Sequence, residues 1–262
     1  MGQRRTLRGG WTRTSVVLTD IANALTAAVL SPGCAACGRV LDRPCDGPVC
    51  AACWNAIRVM TPPLCRTCGD SLPSWRTVSL AAGMCAACRR RSRWIDLGRA
   101  SGQYEGSLRD IIHAFKYGGR RSLARPLGAL MRRAGQELLD GASCTVPVPL
   151  HPWRRFVRGF NQASDLAREL GLPVVPALRR ERATAPQAGL KHAARHRNVR
   201  GAFRPSPLVS GRVRRALLTD RIVVLADDVS TTGATLDACA RALKEAGVRE
   251  VRALTAARAT IR

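Results

Sequence analysis

The sequence predicts an α/β protein in which a parallel sheet flanked by helices follows a small metal-bound segment. Two observations carry that prediction. One is the run Arg221-Ile-Val-Val-Leu-Ala-Asp-Asp-Val-Ser-Thr-Thr-Gly-Ala-Thr235, which reads as a strand, a tight loop and a helix start in succession. The other is a set of eight cysteines, all in Cys-x-x-Cys pairs, between Cys34 and Cys88.

Taken from the N-terminus, residues 1–30 form a basic segment followed by an amphipathic helix. Arg4, Arg5, Arg8 and Arg13 precede a moderately apolar stretch in which Val17, Ile21, Ala24, Leu25 and Ala28 make one helical face. Asp20 and Asn23 interrupt that stretch, and Ser31-Pro-Gly-Cys34 lacks the apolar residue expected before a lipidated cysteine. No run of 18 apolar residues occurs, so no spanning helix is expected, and the expected compartment is the cytoplasm.

Residues 31–92 are expected to form a double ribbon. Cys34, Cys37, Cys50 and Cys53 make one four-thiolate set, and Cys65, Cys68, Cys85 and Cys88 make a second. Intervals of 12 and 16 residues separate the pairs within each set. Two Cys-x-x-Cys turns complete a tetrahedral shell with no open position, which is structural rather than catalytic. Redox pairs and an iron–sulfur cluster are the alternatives, and four regularly placed pairs favour two Zn²⁺ sites. Each ion would supply about 10 kcal/mol or more of binding free energy to a segment poor in large apolar residues. Cys45 is left over as a further ligand or a bystander, while Cys144 and Cys239 fall in expected core elements.

A third region, 93–262, holds the sheet. Leu108, Ile111, Ile112 and Phe115 make an apolar helical stripe, with Arg109 and Lys116 off it and free to reach solvent or an anion. Leu123 to Leu139 reads as a second helix. Val146-Pro-Val-Pro-Leu150 is a short extended segment running into a basic loop that carries Arg154, Arg155 and Arg158, where a doubly wound sheet receives pyrophosphate. Pro173 to Leu178 reads as a strand, followed by a long basic loop containing Arg182. Residues 204–220 read as a surface excursion, and Glu250 to Ala256 as a last strand.

Between those two lies the run singled out first. Ile222 to Ala226 reads as a buried parallel strand with Asp227 and Asp228 at its end, and Leu236, Cys239, Ala240 and Leu243 recur at helical spacing. A helix start offers unpaired N–H groups and the positive end of its dipole, so the loop from Thr231 to Thr235 meets an anion with ready donors. Gly233 permits close backbone approach, and the threonines add hydroxyls. Carboxylates aimed at a phosphate would repel it, so Asp227 and Asp228 are expected to accept hydrogen bonds from vicinal sugar hydroxyls, at about 1.5–3 kcal/mol each. The absence of Gly-Lys-Ser/Thr excludes a P-loop.

Composition sets the outer bounds. The 262 residues are 46% hydrophobic and suffice for one substantial domain and a small one, while 4% aromatic content leaves few base-stacking platforms. Lys and Arg number 43 against 18 Asp and Glu, a formal charge of +25, with lysine only at 116, 191 and 244. Such a charge permits a polyanionic partner.

The loop from Asp227 to Thr235 resembles the phosphoribosyl pyrophosphate (PRPP) signature of type I phosphoribosyltransferases. From about Leu25 to Arg258 the chain also resembles the ComF family (the ComFC/GntX group), through Tyr104-x-Gly-x-Leu-Arg109, Phe115-Lys-Tyr-x-Gly-Arg120, Pro147-Val-Pro-Leu-His-Pro, Arg158-Gly-Phe-Asn-Gln162, Arg182-x-Thr-x-x-Gln187-x-x-Leu190 and Arg195-x-x-Asn198-Val-x-x-Ala-Phe203. That resemblance implies a type I phosphoribosyltransferase-like fold behind a double zinc ribbon. It implies that Asp227 and Asp228 hold the ribose hydroxyls, and that Ser230, Thr231, Thr232, Gly233, Ala234 and Thr235 wrap the 5′-phosphate. Arg154, Arg155, Arg158 and Arg182 are expected to balance pyrophosphate, with Mg²⁺ carried on PRPP. For some members it also implies work on incoming single-stranded DNA beside a competence helicase-like partner. Two readings stay open: a phosphoribosyltransferase of unidentified acceptor, and a non-catalytic PRPP-sensing or nucleic-acid-binding module.

Overall fold

The computed structural model describes residues 13–72, 83–90, 92–150, 156, 159–181 and 201–259. Helix α1 (Arg13–Leu30) leads into the first ribbon, which contains α2 (Ala51–Asn55); α3 (Ala86–Arg90) closes the second. Then come β1 (Leu97–Gln103), α4 (Gly106–Tyr117), α5 (Ala124–Ala134), α6 (Gln136–Leu139), β2 (Cys144–Pro147), α7 (Gln162–Arg168), β3 (Leu178–Arg180), β4 (Phe203–Pro205), α8 (Gly211–Leu217), β5 (Ile222–Ser230), α9 (Ala234–Glu245) and β6 (Glu250–Arg258).

Four strands form a parallel sheet in the order β1-β6-β5-β2, as expected of an α/β fold. Because successive strand residues point to opposite faces, β5 feeds two cores. Val223 and Leu225 pack with Leu236, Cys239 and Leu243 of α9, whereas Val224 and Ala226 pack with Ile112 and Phe115 of α4, Leu127 and Met131 of α5, and Leu166 of α7. A fully apolar run is what burial on both faces demands. The stripe read on α4 is fully buried.

Several expectations change. The helix read over 123–139 breaks at Gly135, where a Cβ would lie 2.6 Å from the methyls of Leu254, so the chain passes the sheet there without a side chain. The strand read at 173–178 is a single bridge, Thr145 to Val174, and pairing resumes only in β3, antiparallel to β4. Residues 204–220 are not wholly a surface excursion, since Val209 and Leu218 are buried in the α9 core. Helix α1 inverts the usual amphipathic arrangement. Its polar side faces the first ribbon, with Asn23 buried and accepting the Cys45 N–H at 2.8 Å and Asp20 paired to Arg43, while Leu18, Ile21, Leu25 and Val29 face solvent.

Candidate functional site: acid pair, phosphate loop and metal ribbons

The two ribbons repeat one knuckle. In Cys34-Ala-Ala-Cys37-Gly38 and Cys65-Arg-Thr-Cys68-Gly69 the glycine adopts a left-handed φ of 74° and 70°, and its N–H donates to the first cysteine's carbonyl at 2.8 Å in both. Only glycine takes that conformation without strain. The eight predicted cysteines converge as two tetrads, the sulfurs of each lying within 4.8 Å of one another. Nearest pairs are 3.7–3.9 Å apart. A tetrahedral zinc with Zn–S of about 2.3 Å needs sulfurs about 3.8 Å apart, so the donor sets fit the ion. Cys45 lies outside both sets. Cys144 and Cys239 are fully buried, and burial pushes the Cys144 thiol up to about 11, as befits inert core residues.

At the carboxyl end of β5 the sequence places the acids where the strand was expected to stop. Instead the ladder continues through Ser230, paired with Arg258 of β6, because backbone pairing does not depend on side-chain polarity. Neighbouring strand residues point apart, and the acids divide accordingly. Asp228 is buried toward α4, where Lys116 Nζ meets its Oδ1 at 2.8 Å. Asp227 lies in the electrostatic reach of Cys239 on α9 and Arg180 on β3, and its Oδ1 accepts the Asp228 N–H at 2.9 Å. Burial, then repulsion from Asp228, pushes the Asp227 carboxyl up to about 7. Burial works against the Lys116 ammonium, but Asp228, with Asp227 behind it, more than offsets this, and its pKa is raised.

Beyond the acids, Ser230 to Gly233 turn the chain into α9. Gly233, at φ 74°, is the N-cap, and the buried Thr232 hydroxyl just before it accepts the Ala234 N–H at 3.3 Å, satisfying the first free donor of the helix. Thr231, Gly233 and Thr235 remain partly exposed around the turn. Six predicted loop residues, 230–235, are therefore together at one helix N-terminus, an arrangement suited to an anion.

The second ribbon forms a wall beside this loop, which the sequence did not announce. Buried Arg258 donates to Asp70 of the ribbon at 2.9 Å and to the Ser230 hydroxyl at 3.2 Å. Arg93 donates to the Thr232 carbonyl at 3.2 Å, and Asp237 in the first turn of α9 accepts the Trp94 N–H at 2.7 Å. A cavity of about 340 Å³ separates ribbon and loop, lined by Arg90, Arg93, Arg258, Thr231 and Thr232 and by cysteines of the second tetrad.

Arg154, Arg155, Arg158 and Arg182 lie outside the described residues. The described part of their motif is structural. Asn161 accepts the Ala163 N–H to cap α7 and donates to the Val148 carbonyl, and Arg121 grips Asp165 through two 2.8 Å bonds while stacking on Phe160. Lys116, which the sequence left free to reach solvent or an anion, is drawn into the site against Asp228; the rarity of lysine in an arginine-dominated chain was a further signal.

Comparison with known proteins agrees with this layout. Residues 25–89 match a double zinc ribbon domain, and residues 157–261 match a phosphoribosyl transferase domain. The chain is 31% identical over 221 residues to Competence protein F of Haemophilus influenzae, covering 80% of this chain and 90% of that protein. Identity to the DNA utilization protein YhgH of Escherichia coli K12 is 32% over 216 residues, 78% of this chain and 87% of the relative. Competence protein ComFC of Streptococcus pneumoniae is 27% identical over 163 residues, 61% of this chain and 67% of the relative. Among the described residues no helix is long and apolar enough to cross a membrane.

Proposed function

The chain belongs to the ComF family, in which a double zinc ribbon accompanies a phosphoribosyl transferase domain, and on that premise we propose that it binds PRPP at the carboxyl end of β5 and transfers its ribosyl group. The observation that carries this reading is the sequence of parts along one backbone: buried Asp228, the hydroxyl-bearing turn at 231–233 and the N-terminus of α9. Asp228, with Asp227 beside it, accepts hydrogen bonds from ribose hydroxyls, and residues 230–235 hold the 5′-phosphate. In the transfer, the bond from the anomeric carbon to pyrophosphate breaks, a bond to the acceptor forms, and pyrophosphate leaves. Positive charge develops at the sugar, so the protein contributes mainly positioning and electrostatics. Arg158 and Arg182, which lie in family motifs, and Arg154 and Arg155, in the same basic loop as Arg158, are assigned to the departing pyrophosphate. Mg²⁺, when bound, would neutralise pyrophosphate oxygens, and few protein carboxylates are needed for that role.

Single-stranded DNA is the proposed polyanionic partner, supported by the charge of +25 and by relatives named for competence and DNA utilization. We place this activity in the cytoplasm, beside the helicase-like partner that the family implies. A second reading, PRPP sensing without turnover, is favoured by the bonds of Arg258 to both Asp70 and Ser230, which join a ribbon to the phosphate loop.

Calorimetric titration of PRPP with Mg²⁺ into wild type and Asp228→Ala tests the site. The variant is expected to bind at least about tenfold more weakly, the weight of one charge-assisted hydrogen bond. Equal affinity would refute the ribose contact. For DNA, affinity should fall linearly in log K against log salt, and insensitivity to salt would exclude phosphate-driven binding.

A further inference from the structure

Asp228 is paired with a cation for which ribose recognition by a carboxylate alone has no use. Lys116 projects from the last turn of α4, its side chain 15% exposed, and puts one of its three ammonium donors on Asp228 at 2.8 Å. Asp227 and Tyr104 also lie within electrostatic reach of the ammonium, so two sequence motifs with no other assignment, around 104–109 and 115–120, meet at Lys116. A structural account is weak. Taking an ion pair out of water costs several kcal/mol per ion and returns little net stability, and an apolar residue packs as well.

Hydrogen-bond bookkeeping supplies a functional one. A sugar hydroxyl both donates and accepts, whereas an ionised carboxylate only accepts. The ionised Asp228 carboxylate therefore satisfies sugar O–H donors and leaves the hydroxyl lone pairs without a protein donor. An ammonium that shares Asp228 still has two N–H groups to offer. Lysine suits this position better than arginine, because a compact point charge can share one carboxylate with a hydroxyl, while a planar guanidinium tends to occupy both oxygens. The choice is marked in a chain with 43 Lys and Arg of which only three are lysine.

We propose that Lys116 contacts the ligand: its ammonium stays on Asp228 when a ribosyl phosphate binds and donates a second hydrogen bond to a sugar hydroxyl oxygen. The inference rests on the ribose-phosphate reading of the pocket. It is tested on the zinc-loaded full chain by calorimetry with ribose 5-phosphate and, separately, inorganic phosphate, using wild type, Lys116→Met and Lys116→Gln. Lys116→Met should weaken ribose 5-phosphate about tenfold, as expected for loss of one charged donor, and leave inorganic phosphate within about twofold, since the loop is untouched. Lys116→Gln keeps N–H donors and carries the same comparison if the methionine variant does not fold; its selective loss should be about threefold or more. Equal ribose 5-phosphate affinity across the three proteins overturns the contact and leaves the phosphate site standing. Loss of both ligands in a folded variant also overturns it, by showing a general disturbance. A wild type that binds neither ligand overturns the contact and the pocket reading together.

Discussion

Asp227 carries a burden that a single substitution should relieve. Its carboxyl is held at about 7 against an ordinary value of 3.8, first by burial and then by Asp228. The folded state therefore prefers the protonated acid, and the unfolded state does not. With more protons bound folded than unfolded, stability falls as pH rises from about 4 to about 7 and is fully reduced above that. At about 1.4 kcal/mol per pH unit the effect is at most about 4 kcal/mol; screening by the residual solvent contact of Asp227 brings our expectation to about 2 kcal/mol. Asp227→Asn removes the charge and keeps the shape and the acceptor for the Asp228 N–H. Its gain over wild type should be about 2 kcal/mol at pH 8, or about 4–8 °C in melting temperature for a domain of this size, and should shrink steadily toward pH 5. Thermal unfolding of both zinc-loaded proteins at the two pH values isolates the difference, because contributions of metal and core are common to both. An equal gain at pH 8 and pH 5, or no gain at either, would refute the assignment of a strained, high-pKa acid to this position.

Zinc removal and ribbon docking give further tests. Zinc-loaded protein should contain two ions per chain and expose Cys45 as its one readily alkylated thiol; a chelator should raise that number to nine while Cys144 and Cys239 stay protected, countable by mass spectrometry after alkylation. Retention of both tetrads against strong chelation without metal loss is not expected, and a metal content of one would remove a ribbon from the scheme. At Gly98 of β1 a Cβ would lie 2.6 Å from the Thr67 carbonyl oxygen and 3.2 Å from backbone atoms of Cys68, none of which can swing aside. Gly98→Ala should lift the second ribbon from the sheet, cost about 1–3 kcal/mol by thermal unfolding and leave zinc content at two. An unchanged melting temperature would mean that the ribbon does not seat on β1 as described.

What the sequence made legible is what local chemistry determines. Four Cys-x-x-Cys turns specify their own ligand sets, and an apolar run followed by Asp227, Asp228 and a threonine–glycine turn specifies strand, acids and helix-start turn within a dozen or so residues. Boundaries were less legible: charge at Asp227 suggested a strand end, yet the parallel ladder to β6 runs on to Ser230, and that extension is what sends the two acids to different faces. Least legible were contacts between distant segments. Nothing near Arg258 announces Asp70, and nothing near Asp228 announces Lys116, because each pair is assembled by sheet order and helix packing. Composition offered an indirect route to the second pair. Where arginine fills nearly every cationic position, a lysine marks a place in which the guanidinium fork is a poor fit. Of the two lysines in the described residues, Lys244 reaches Asp96 and the Arg249 carbonyl at the surface, and Lys116 is the one buried against an acid. The residue least typical of this chain thus stands against Asp228, the acid proposed to meet a sugar.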